Sequence, residues 1–117
     1  MTKSAKVLGS LERRAEAIDS YRKAVELNPA YAEAHAALGD QYSLAGRIPE
    51  AITAYQTAIG AKPEYAMAHL NLGLMFARQG RWDEAVTEFR RTLSLNPGDP
   101  VAQECLKQAQ TRVAAGR

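Results

Sequence analysis

His35, His69 and Cys105 are the side chains here with the widest chemical range, and the sequence has only two histidines and one cysteine. Imidazole and thiolate are good ligands for zinc or copper, but a site needs three or four donors converging on one point. The two histidines stand 34 residues apart (35 to 69) and Cys105 falls on another segment in a different slot, so neither number nor spacing supports a metal. As a nucleophile Cys105 has no neighbouring base, and it sits on an apolar stripe with Val101, Ala102, Leu106, Ala109 and Val113, where a free cysteine behaves as a small hydrophobe. A single cysteine also excludes an intramolecular disulfide. The sequence contains no glycine-rich phosphate loop, nucleophile elbow or paired acid. The expectation is therefore a non-enzymatic chain without metal or cofactor.

Charge excludes further classes. The formal net charge of 117 residues is +2, and Arg13, Arg14, Arg22 and Lys23 are interleaved with Glu12, Glu16 and Asp19. Mixed signs at helical spacing make a solvated face, not a nucleic-acid footprint. No stretch has the apolar length of a membrane span, and Met1–Leu11 lacks a secretory apolar run, so a cytoplasmic protein without a membrane partner is expected.

The elements that position these residues follow from an internal repeat. Gly39 recurs as Gly73, Ala51 as Ala85 and Pro63 as Pro97, always 34 residues on. Ala32, Ala34, His35, Leu38, Gly46, Arg47, Glu50 and Thr53 recur at the same offset, while Tyr42 and Tyr55 become Phe76 and Phe89. The series Leu-Gly, aromatic, Gly, Ala, aromatic, Pro at this period resembles the tetratricopeptide repeat, and the resemblance covers nearly the whole chain.

The spacing predicts a first helix over about 32–44 and a second over about 49–61, with Gly46 in the turn and Pro49 in the first turn of the second helix. Pro63 and Pro97 end the second helices. Gly39 and Ala51 lie where the paired helices approach, surrounded by Leu38, Tyr42 and Tyr55. Trp82, in the slot of Ile48, reads as a staple onto its own helix. The predicted fold is all-α: a right-handed α-solenoid of antiparallel helix pairs, with a partial repeat over 1–29, full repeats over 32–65 and 66–99, and a capping helix over 100–115.

The ends differ. Ala17, Tyr21, Ala24 and Pro29 continue the period backwards, but Glu12 replaces the turn glycine, which predicts an irregular turn after a short or frayed first segment. Asp99 is a candidate N-cap with Pro100 at the first helical position. Lys107 and Gln110 occupy the glycine and aromatic slots of this last helix, so it suits a polar cap. The N-terminal end has no such cap. Leu8, Leu11, Ile18, Tyr21 and Val25 would be left uncovered, to be buried by a second copy in a homodimer or by further repeats upstream.

Resemblance to the family implies a concave face lined by the first helix of each pair. On this chain those positions are Glu33, Ala36, Asp40, Ser43 and Leu44, then Met67, Leu70, Asn71, Leu74, Ala77 and Arg78. Met67, Leu70 and Leu74 either pack against the last helix at Val101 and Ala102, or floor an apolar groove for a partner helix or peptide. Asp40 and Glu33 favour a basic ligand residue; Arg78 opposes it. Family members that bind acidic chaperone tails use basic residues and asparagines where this chain has Ala36, Asp40, Asn71, Val101 and Cys105. Only the asparagine remains, which argues against that activity. The expected function is a protein-interaction scaffold binding a peptide or helix on this face. The alternatives are an assembly module working through its N-terminal end and the targeting region of a larger enzyme, such as a glycosyltransferase.

Overall fold

The computed structural model describes residues 2–116, with side chains over residues 12–116. Six helices follow one another: α1 (Thr2–Leu27), α2 (Ala32–Leu44), α3 (Ile48–Ala61), α4 (Ala66–Arg78), α5 (Trp82–Leu95) and α6 (Pro100–Ala115), with no strand among the described residues. Short loops fold α2 back on α3 and α4 back on α5. The pairs then stack through α1 on α2, α3 on α4 and α5 on α6. The first helix of one pair also touches the first helix of the next, α4 against α6, while the second helices meet no neighbour of their own kind extensively. With Asp40–Asn71 and Ser43–Arg78 joining α2 to α4, the first helices α2, α4 and α6 line up on one face of the stack, the inner face.

The two interior turns show why glycine stands where it does. Gly46 and Gly80 adopt φ of 77° and 75°. Gly46 N–H donates to Ser43 O at 3.0 Å and Arg47 N–H to Tyr42 O at 2.8 Å; Gly80 and Arg81 repeat this on Ala77 and Phe76. This paired closure satisfies the last carbonyls of a helix and needs a left-handed residue at its centre. The arginine that follows lies over the ring it has just passed, Arg47 on Tyr42 at 4.8 Å and Arg81 on Phe76 at 4.5 Å.

Close approach fixes the second pair of glycines. Ala51 and Ala85 are fully buried, and a Cβ on Gly39 would lie 2.7 Å from the Tyr55 ring, one on Gly73 2.6 Å from the Phe89 ring. Asp99 caps α6 as expected, its carboxylate accepting from Val101 N–H at 2.9 Å and Ala102 N–H at 3.2 Å. Trp82 opens α5 half-buried against the core, with the Arg112 guanidinium 5.6 Å from its ring centre.

The N-terminal segment departs from expectation. No turn forms near Glu12; α1 runs unbroken through it. Glu12 occupies the slot of Gly46 and Gly80, and a residue with a Cβ resists the left-handed conformation those glycines adopt. Without a turn the segment continues as helix, so residues 2–27 form one long helix instead of a clipped pair. At about 1.5 Å per residue α1 is about 39 Å long and α2, its main packing partner, about 20 Å.

Candidate functional site

The inner face is assembled from α2, α4 and α6, and side-chain hydrogen bonds tie the first two together. Asn71 Nδ2 on α4 donates to Asp40 Oδ1 on α2 at 3.4 Å. Seven residues further along α4, Arg78 Nη1 donates to Ser43 Oγ at 3.2 Å. Asp40 Oδ1 also accepts from Tyr55 Oη, which reaches through the pair from α3. Burial, and after it the hydrogen bond and charge of Asp40, push the Tyr55 phenol far above its ordinary value of 10.0, so it is held as a neutral donor.

Apolar surface accompanies these polar rungs, with Leu74 between them and Met67 and Leu70 on the far side of Asn71 from Arg78. Met67 is 57% exposed and Val101 53%. Leu70 and Leu74 are half-buried, packed against the core with part of each side chain still open. Core and floor are thus two sides of the same leucines. Ala102 of α6 is fully buried, but its neighbour Val101 is not drawn in with it. Glu33 is exposed and pairs with Lys62 across the repeat at 3.7 Å. Ala36, expected to line the face, is buried in the core instead, because its methyl turns toward the packed side of α2.

The histidines have a different task. His35 Nε2 donates to Pro29 O at 2.9 Å and His69 Nε2 to Pro63 O at 2.8 Å. The same slot in α6 is Gln103, whose Nε2 donates to Pro97 O at 2.9 Å. Three times, a side-chain N–H from the first helix of a pair fastens the loop before it. His69 goes further: its Nδ1 meets Glu88 Oε1 at 2.7 Å, both side chains nearly fully buried, while Arg91 Nη1 reaches Glu88 Oε2 at 3.1 Å. Both ring nitrogens of His69 are therefore engaged, which leaves neither free for a metal. Among the described residues no three His, Cys, Asp or Glu side chains gather as a metal site. Cys105 is half-buried, and burial, with Asp99 and Glu104 nearby, pushes its thiol up. A protonated thiol is a poor nucleophile.

Of the residues expected at an uncovered N-terminal end, Ile18, Tyr21 and Val25 pack half-buried against the core. The side chains of Leu8 and Leu11 lie outside the described residues. Beside Val25, on the outer side, a hollow of about 420 Å³ is walled by His35, Leu38, Tyr42, Ala54 and Thr57. Its counterpart one repeat on, about 340 Å³, has Glu88 and Arg91 where the first has Ala54 and Thr57.

Three participants escape a reading of the sequence alone. Tyr55 is assigned there to packing, and its hydroxyl on the inner face is invisible until α2 and α3 are placed. Glu88 stands in the slot of Ala54, so the repeat gives no warning of a buried acid. Gln103 was recoverable: the offset that links His35 to His69 leads to it, and what persists is an N–H donor, not a residue type.

Known proteins place this architecture. A family model described as tetratricopeptide repeat matches residues 42–100, and a second, described as TPR repeat, matches residues 8–46. No curated protein matches the sequence. Among solved structures, the first TPR of Spaghetti (RPAP3), bound to the HSP90 peptide SRMEEVD, is similar with a TM-score of 0.85 at 20% identity, over 96% of this chain and 89% of that one. The MamA protein is similar with a TM-score of 0.83 at 30% identity, over 96% of this chain and 61% of that one. The Sgt2 TPR domain from Aspergillus fumigatus is similar with a TM-score of 0.83 at 19% identity, over 97% of this chain and 77% of that one.

Proposed function

The chain belongs to the tetratricopeptide repeat family, and from that premise we propose that it is a non-catalytic interaction module whose inner face binds a peptide or helix of a partner protein. The observation that carries this is the apolar strip of Met67, Leu70, Leu74 and Val101, left open beside the Asp40–Asn71 and Ser43–Arg78 rungs. Such a strip gives a ligand apolar surface to bury, and polar groups at its margins fix how the ligand lies. The Spaghetti domain holds an acidic peptide on the same fold. This chain differs at the residues that matter for such a ligand: Asp40 would repel a carboxylate, and Ala36 and Val101 offer it no donor.

The test uses the exposed members of the strip, so that folding is not at stake. Met67→Glu together with Val101→Glu should abolish cross-linking of a native partner that the unaltered chain captures, while leaving the thermal unfolding curve in place. A partner retained undiminished by the double variant refutes the inner-face reading.

The length of α1 favours a second reading, assembly through the N-terminal end. About half of that helix extends past the α2 surface it packs on. Sedimentation at rising concentration tests it, and a strict monomer throughout refutes it.

A further inference from the structure

We infer that the inner face selects a peptide carrying a single lysine among apolar residues, with Asp40 receiving the lysine ammonium. This rests on the inner-face reading above and names the chemistry of its ligand.

Asp40 is an exposed carboxylate on that face, and among the described residues it forms no ion pair. The other inner-face acid, Glu33, already faces Lys62. Asp40 is nevertheless held in place: Tyr55 Oη and Asn71 Nδ2 both donate to its Oδ1. Its Oδ2 accepts no hydrogen bond among the described residues. A fixed carboxylate with one free oxygen suits a compact ammonium, since an arginine fork needs two oxygens side by side.

The surroundings point the same way. Asn71 brings α4 to Asp40, and with it come Leu70 and Leu74, the residue before Asn71 and the one three after it. The four-carbon stem of a lysine can lie along such a surface while its head reaches the acid. Apolar neighbours on the ligand would cover Met67 and exclude water, and a charge pair strengthens as water leaves. Arg78 limits the number of cations. It stands two helical turns beyond Asn71, about 10 Å along α4, and is held on the same face by Ser43. A second lysine at that end would meet like charge, so the ligand is monobasic over this length instead of polybasic.

The experiment is selection from a random dodecapeptide phage library on the full chain, followed by affinity measurement with the best synthetic peptide. Enriched peptides should share one lysine flanked by Leu, Ile, Met or Phe, and their binding should fail on the Met67→Glu variant. Asp40→Asn keeps an acceptor for Tyr55, so it preserves the fold, and it should weaken the peptide at least about tenfold. Replacing the peptide's lysine by norleucine should cost as much on the unaltered chain and nothing further on Asp40→Asn. Peptides that need Met67 but lack lysine, or bind Asp40→Asn undiminished, overturn the lysine assignment and leave the inner-face reading standing. Arginine outperforming lysine at that position overturns it as well. A library yielding no peptide sensitive to Met67→Glu refutes the inner-face reading itself, and this inference with it.

Discussion

One substitution, glycine to alanine, should change sign between helices that look alike in sequence. Gly39, Gly60 and Gly73 are all helical, and in a helix interior alanine is favoured over glycine by about 0.5–1 kcal/mol. At Gly60 a Cβ meets nothing within 4 Å, so Gly60→Ala should stabilise by about 0.5 kcal/mol, the low end because the site is in the last turn. At Gly73 the added Cβ would lie 2.6 Å from Phe89 Cε1, far inside the ~3.5–4.0 Å of a favourable carbon contact. Phe89 is only 1% exposed and has no room to retreat. Overpacking of this kind costs about 1–3 kcal/mol, so Gly73→Ala should destabilise by about 1–2 kcal/mol net. Gly39→Ala should do the same against Tyr55, whose ring is also tied through its hydroxyl to Asp40. Urea unfolding followed by circular dichroism gives each value, and the slope should stay constant across the series. Phe89→Leu on the Gly73→Ala background supplies the internal check, because the clash penalty should shrink when the ring is gone. If Gly73→Ala stabilised as much as Gly60→Ala, the close approach of α4 and α5 described above would be wrong.

The buried pair in the second repeat should be strongly coupled. Glu88→Ala removes the buried hydrogen-bond partner of His69 Nδ1 and should cost about 3 kcal/mol, with His69→Ala costing distinctly less once Glu88 is gone; additive losses in a double-mutant cycle would refute the pairing. Asp99→Ala removes the acceptor for two N–H groups of α6 and should lower stability by about 1 kcal/mol, whereas Asp99→Asn should cost only a fraction of that. Tyr55 makes stability fall on the alkaline side. Its phenol ionises at a higher pH in the folded protein than in the unfolded chain, so its contribution is intact below pH 10.0 and is lost as pH rises above it. Absorbance titration of Tyr55→Phe against the unaltered chain should show this tyrosine withheld until unfolding begins, and a Tyr55 that titrates near pH 10 in the folded state would sink the account.

The period made most of the fold legible. Gly46, Gly80, Pro63 and Pro97 punctuate the chain where the helices end, and the predicted boundaries of α2 match those observed while α3 begins one residue early. The N-terminal break in the period was visible at Glu12, but its outcome was not. Losing a turn signal says that a turn is not encoded, and not that the helix will run on through the gap as α1 does. On the face of α2 and α4, sequence alone could not rotate the helices finely enough to see Ala36 turn inward, nor to divide Leu70 and Leu74 between core and surface. The histidines were the least legible of all. Their chemistry suggests ligation, while the structure uses them as N–H donors to proline carbonyls.

That donor-to-carbonyl fastening has a consequence for how the chain can vary. It sits at every joint between successive units, before α2, before α4 and before α6. Histidine twice and glutamine once supply the N–H, and a proline carbonyl accepts it each time, so the joint persists while the donor's residue type varies. Joints of a single gauge separate the fastening from the packing around it. A further 34-residue copy spliced in at one of them would find the same fastening ready for its loop.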